Sequence, residues 1–259
     1  MSRFVNLEFE DESGHQLQPE FGALVKDEAY YLAEARTAFE TGNYEPALRH
    51  FSKVLEYNPR NTAAWSGQVR MLIELGEYRE AKLWADKALE RFPNEPELLA
   101  AKAVALGRAG DVAGGLAFSD ASIEERGDTP YVWLARGDVL LARGEARADY
   151  CFEKALLLAP RDWFTLWLAA RIRFFHEQFV LALKLLQRAV ELNPGNFILW
   201  LEQGHCQQAI GLVGPAEMSF IQARQLNPRS EAASQALHRV SQVGWLGRLC
   251  GKWRELFKR

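Results

Sequence analysis

Apolar and small residues fall at helical spacing through most of the chain, and a glycine interrupts them at regular intervals. Between Thr62 and Glu95 the pattern runs through Trp65, Val69 and Leu72, breaks at Gly76, resumes at Tyr78, Ala81 and Ala88, and stops at Pro93. Positions three and four apart share one face of a helix, so this stretch predicts two helices joined by a glycine turn. Proline cannot continue a helix, and it biases the residue before it away from helical dihedrals. Such stops recur at Pro59, Pro93, Pro160, Pro194 and Pro228, with Gly127 filling the one gap, at spacings of 34, 34, 33, 34 and 34 residues. A single hairpin cannot bury its apolar face alone. A fixed period therefore predicts a stacked array in which each hairpin is covered by its neighbours.

The period divides the chain into hairpins over 28–61, 62–95, 96–129, 130–162, 163–196 and 197–230, an array that closes near Pro228. The third is the weakest copy, with Gly114 and Gly115 where its second helix should begin. Each glycine costs about 1 kcal/mol against alanine inside a helix, and the readings are sequence drift, and a hinge or a change in superhelical curvature between residues 107 and 150. The fourth hairpin is one residue short, a deletion expected in the turn around Gly144 to Arg147. Ala233, Ala236, Leu237, Val240 and Val243 continue the helical spacing as an unfinished repeat that closes the array.

Trp65, Trp133 and Trp200 each open a first helix, Gly42, Gly76, Gly110, Gly144 and Gly211 sit at turns, and Ala47, Ala81, Ala182 and Ala216 begin second helices. Together with the closing prolines this pattern resembles the tetratricopeptide repeat (TPR) family. The resemblance implies an all-α fold, a right-handed α-solenoid of about six helix-turn-helix repeats with a C-terminal capping helix. It also implies a concave groove, lined by the first helices, that holds an extended or helical segment of another protein. Members of the family that grip chaperone C-termini use Lys, Asn and Arg at positions occupied here by Leu32, Arg36, Gly67, Glu97 and Ala101, so that clamp is absent.

With the Trp position taken as buried, the opposite face of each first helix supplies Arg36 and Glu40, Arg70 and Glu74, Val104 and Arg108, then Tyr131, Leu134 and Asp138. The fifth hairpin adds Phe164, Trp167, Leu168, Arg171 and Phe175 on one face, the sixth adds Ile198, Leu201, Glu202 and His205, and the last helix adds Arg239. The expected groove is charged at its N-terminal end and aromatic towards the fourth to sixth hairpins. Aromatic side chains with arginine have the composition of a binding hot spot. The competing reading is internal packing, with the fifth hairpin rotated so that Phe174 replaces Arg173 in the core.

Composition narrows the function without naming it. A net charge of −3 disfavours an extended nucleic-acid surface, and no nucleic-acid partner is expected. Cys151, Cys206 and Cys250 have neither disulfide nor metal spacing, and the five histidines form no close ligand pair. No catalytic constellation, cofactor or metal site is expected. The apparent phosphate-loop stretch 244–253 has the wrong glycine spacing and Trp253 where a Ser or Thr belongs. Neither a signal-length apolar run nor a membrane-spanning stretch is present, which points to a cytoplasmic protein.

Charge is uneven along the chain. Residues 1–28 hold seven acids and two bases, whereas 229–259 hold seven bases and two acids. Residues 1–27 read as an acidic arm in which Val5, Leu7 and Phe9 alternate with polar residues, either loosely docked or laid across the groove. In 244–259, Trp245, Leu249, Trp253 and Phe257 share one arc while Arg248 and Lys252 lie on the other. That segment reads as an array cap, an interfacial membrane helix or a docking helix for a partner. The function expected is a non-catalytic adaptor or scaffold that binds a protein segment in its groove. The alternatives are a localisation factor on an anionic membrane and a head-to-tail homo-oligomer.

Overall fold

The computed structural model describes residues 26–242, which form thirteen α-helices and no strand among the described residues. They pair as α1 (Glu28–Glu40) with α2 (Tyr44–Tyr57), α3 (Thr62–Glu74) with α4 (Tyr78–Arg91), and α5 (Pro96–Arg108) with α6 (Val112–Glu124). The series continues with α7 (Pro130–Ala142) and α8 (Ala148–Leu158), α9 (Trp163–Phe175) and α10 (Phe179–Leu192), and α11 (Phe197–Ala209) and α12 (Val213–Leu226). A single helix, α13 (Glu231–Ser241), follows. The chain is an all-α solenoid of helical repeats. Residues 1–25 of the expected acidic arm, and the expected amphipathic segment with Trp245, Arg248, Leu249, Lys252, Trp253 and Phe257, lie outside the described residues.

Local chemistry explains where the helices start and stop. Asp27, Asn61, Thr129, Asp162, Asn196 and Ser230 each accept a hydrogen bond from a backbone N–H in the first turn of the helix that follows. A cap of this kind is worth about 1 kcal/mol. Helices α2, α4, α8, α10 and α12 each end two residues before a proline. The one-residue deletion falls in α8, which has 11 residues where α2, α4, α10 and α12 have 14, and the α7–α8 turn is longer, with Glu145 paired to both Arg143 and Arg147.

Gly115 is not a defect in α6. A Cβ there would lie 2.9 Å from the carbonyl oxygen of Ala103 and 3.2 Å from the backbone nitrogen of Gly107. The glycine lets α5 and α6 approach backbone to backbone, which replaces the hinge reading with a close-packed pair. The rotated fifth hairpin is also set aside. Arg173 is buried, stacked 4.0 Å from the Phe152 ring centroid and paired with Asp149 at 2.6 Å, while Phe174 is 38% exposed.

The first helices α3, α5, α7 and α9 pack directly on one another along the inner side, and each second helix packs on its partner. The curl brings the α1–α2 turn back onto α9 and α11. Asn196 Nδ2 donates to the Glu40 carbonyl at 3.0 Å, across 156 positions of sequence. The Phe39 ring meets Phe164 edge-on at 5.1 Å and lies 5.9 Å from Trp167. Gly42 faces Ile198 so closely that a Cβ would sit 2.9 Å from Ile198 Cδ1. The solenoid closes on itself along this seam.

Candidate functional site

Closure turns most of the expected groove into an interior. Leu134, Trp167, Leu168, Ile198 and Leu201 are buried, and Trp167 is 0% exposed. Arg70 lies over two rings, 3.9 Å from the Tyr131 centroid and 5.2 Å from that of Phe39. Phe164 is half-buried against Phe39, Trp163 and Trp167. Arg36 stands apart on α1, exposed and paired with Glu40 at 2.8 Å. Glu74, Arg108, Arg171, Phe175, Glu202 and His205 of the expected face line an opening.

The interior is held by charge as well as by rings. Arg171 bonds both Glu74 of α3 and Glu202 of α11, so one guanidinium ties three hairpins together. The Trp167 indole N–H donates to Glu202 Oε2 at 2.7 Å. Beside this cluster Arg108 bonds Asp138 at 2.9 Å, and His176 Nε2 lies 2.7 Å from the other oxygen of the same carboxylate. Burial opposes the ionisation of Glu74, but Arg171, Arg108 and Arg70 outweigh it and hold the carboxyl below the usual range. At Glu202 burial prevails over Arg171, and the carboxyl is pushed up. One arginine shared by two buried acids satisfies one of them better than the other.

Beyond the cluster the interior opens as a mouth of about 820 Å³, within the size range of ligand pockets. It lies where α3, α5, α9 and α11 end, at the edge that carries the turns between first and second helices. Glu74, Arg171 and Glu202 form its floor, and Tyr78, Phe174, Phe175 and Phe179 give it an aromatic wall. Phe175 is 45% exposed and lies over Arg108 at 4.2 Å. Burial lowers the His205 imidazole, with Arg239 of α13 adding to the effect. Burial also pushes the Cys206 thiol up to about 12, so it is an inert wall residue.

Tyr78, Phe174 and Phe179 were not among the expected site residues, whereas Arg108 was expected on the groove face. Tyr78 and Phe179 open second helices, one residue past the turn, and only the superhelical curl brings those turns around a common opening. A turn signal was available. Five turns carry Gly42, Gly76, Gly110, Gly144 and Gly211 at φ between 73° and 95°, whereas Glu177 at the mouth holds φ 58° as a non-glycine. A left-handed residue of this kind costs about 1 kcal/mol, and such strain collects at functional sites. Glu177→Gly is expected to raise stability by about 1 kcal/mol in urea titrations. A loss of stability would show that the Glu177 side chain supports the turn.

Among the described residues no group of His, Cys, Asp and Glu side chains is arranged to hold a metal ion, and no helix is long and apolar enough to cross a membrane. The tetratricopeptide repeat model matches residues 38–105. Comparison with curated protein sequences gives no match. TTC0263, a thermophilic TPR protein of Thermus thermophilus, is 21% identical over 70% of this chain and 99% of its own, with a TM-score of 0.54. The APC/C hetero-tetramer Cut9-Hcn1 gives 17% identity and a TM-score of 0.51, with 83% of this chain covered but 43% of that one. The human IFIT1 dimer with m7Gppp-AAAA gives 20% identity and a TM-score of 0.50, covering 82% of this chain and 55% of that one. This chain therefore spans about half the length of those two. At these identities the likeness is one of fold, and residues 38–105 belong to the tetratricopeptide repeat family, whose fold the neighbouring helical pairs continue.

Proposed function

We propose that the chain is a non-catalytic protein-interaction scaffold that takes a short partner segment in the mouth rather than along the full inner face. The observation that carries this is the aromatic wall of an 820 Å³ opening, where self-packing leaves Arg171, Phe175 and His205 of the expected groove lining an accessible space. Partly exposed phenyl rings offer large area with few rotors, and Arg108 beneath Phe175 stiffens the wall. The family match supports a protein partner, since tetratricopeptide repeats serve as interaction modules. Trp167 and Arg171 then act as supports for the site instead of anchors for a ligand. Among the fold neighbours IFIT1 is seen with m7Gppp-AAAA, a ligand rich in phosphate. The mouth here carries Glu74, Glu177 and Glu202, which repel phosphate and favour a peptide.

The test is selection of a random twelve-residue peptide library on the full chain, followed by affinities for wild type and for a Phe174→Ala/Phe175→Ala variant. Enriched peptides are expected to lose roughly tenfold in affinity on the double variant, the scale of a hot-spot truncation. Arg36→Ala should leave them unchanged. Peptides that bind the double variant as tightly as wild type would overturn the assignment.

A further inference from the structure

The interior repeats one arrangement. Arg108 lies 4.2 Å from the Phe175 ring centroid and bonds Asp138, and Arg173 lies 4.0 Å from that of Phe152 and bonds Asp149. Arg171 lies 5.3 Å from the Trp167 ring centroid and bonds Glu202. Each guanidinium sits over a ring and pairs with an acid. The combination suits arginine, whose flat and weakly hydrated head can meet the negative face of a ring and a carboxylate at once.

The mouth holds the ring and the acid of this arrangement without the arginine. Phe174 and Phe175 are 38% and 45% exposed, Phe179 props Phe174 edge-on at 5.1 Å, and among the described residues no cation lies over Phe174. Glu177, two residues past Phe175 on the α9–α10 turn, is exposed and lines the same opening, with no ion pair among the described residues. On the floor, both bonds that Arg171 gives to Glu74 go to Oε2, and Glu74 Oε1 has no hydrogen-bond partner among the described residues. The charges of the lining are unbalanced to match. Arg108 is engaged by Asp138 outside the mouth, and burial lowers His205, which adds no positive charge at neutral pH. Arg171 is then left facing Glu74, Glu177 and Glu202.

We infer that the segment taken by the mouth carries an arginine, whose guanidinium lies against the Phe174 and Phe175 wall and pairs with Glu177. The open oxygen of Glu74 adds negative charge on the floor beneath it. The inference rests on the mouth being the binding surface, and it adds the chemical class of the partner, an arginine-bearing peptide and not an acidic one.

The test selects binders to the full chain from two twelve-residue peptide libraries, random except at a central position fixed as arginine in one and as glutamate in the other. The arginine library is expected to yield the binders. Exchange of that arginine for citrulline, which keeps the shape and loses the charge, should weaken them roughly tenfold, the scale of a hydrogen bond to a charged group. Glu177→Lys should weaken them by a similar factor while helicity by circular dichroism stays unchanged, because the side chain is exposed on a turn. Equal yields from the two libraries would overturn the arginine assignment, as would arginine peptides indifferent to citrulline or to Glu177→Lys. If such peptides still lose affinity on the Phe174→Ala/Phe175→Ala variant, the mouth stands as the binding surface and only its specificity is wrong. Binders indifferent to that variant, or none from either library, defeat the mouth reading and the inference with it.

Discussion

Arg171→Met is expected to destabilise the protein by about 3–5 kcal/mol, the cost of breaking a buried ion pair from one side. The guanidinium bonds Glu74 and Glu202, which lie 97 and 31 residues away and whose side chains are 13% and 17% exposed. Methionine fills much of the volume but leaves two buried carboxylates with no cation between them. Glu202, already pushed up by burial, would take a proton more readily than Glu74, which moderates the loss. The triple variant Arg171→Met/Glu74→Gln/Glu202→Gln should recover most of the stability, because neutral replacements of a buried charge cluster are often near neutral or better. The amide oxygen that Glu202→Gln introduces can still accept the Trp167 indole N–H. Urea titrations of the wild type and both variants check this. A single variant that loses under 1 kcal/mol would mean that water reaches the cluster and already screens it. The result also bears on binding, since Arg171 variants must be shown folded before any loss of a ligand is read as loss of a contact.

The solenoid was legible because its signals are local. Prolines 34 residues apart stop helices, glycine turns reverse them, and caps such as Asn61 and Asn196 start the next ones. Each signal acts within a few residues, so one pass along the sequence finds it. The inner face was legible only in part. Arg70, Tyr131, Trp167 and Arg171 do share an interior, as helical spacing implies. What spacing cannot express is the small rotation between successive hairpins. Summed over the array, that rotation decides whether Phe164 faces a ligand or faces Phe39, 125 positions earlier. Glu74 and Glu202 fall on the expected groove face, but spacing along one helix does not show that the curl sets both against Arg171.

The seam is the element on which that outcome turns, and it is small enough to break. Phe164→Glu/Ile198→Glu places a charge at each of its two apolar contacts, against Phe39 and against Gly42, while the caps, turns and hairpin packing on either side are left in place. The cost of burying either carboxylate amounts to several kcal/mol, more than the seam's hydrogen bond from Asn196 to the Glu40 carbonyl can offset. Opening also relieves a debt, because the Tyr44 hydroxyl is buried beside Arg171 with no hydrogen-bond partner. An unmet donor of this kind costs about 1–3 kcal/mol. The expected result is an open solenoid that keeps its helicity by circular dichroism while its radius of gyration in X-ray scattering rises by several ångström above the roughly 18 Å of a compact chain of this length. Unchanged scattering with unchanged helicity would show that closure rests on the charge cluster at Arg171 and not on the seam. If the array does open, Trp167 and Tyr131 reach solvent, and the inner face becomes the continuous groove that the family resemblance implies. Peptide selection repeated on the opened variant then separates two modes of binding. New peptides that need Trp167 would make closure a gate over the long groove, whereas recovery of only the wild-type peptides would leave the mouth as the working surface and the seam as architecture.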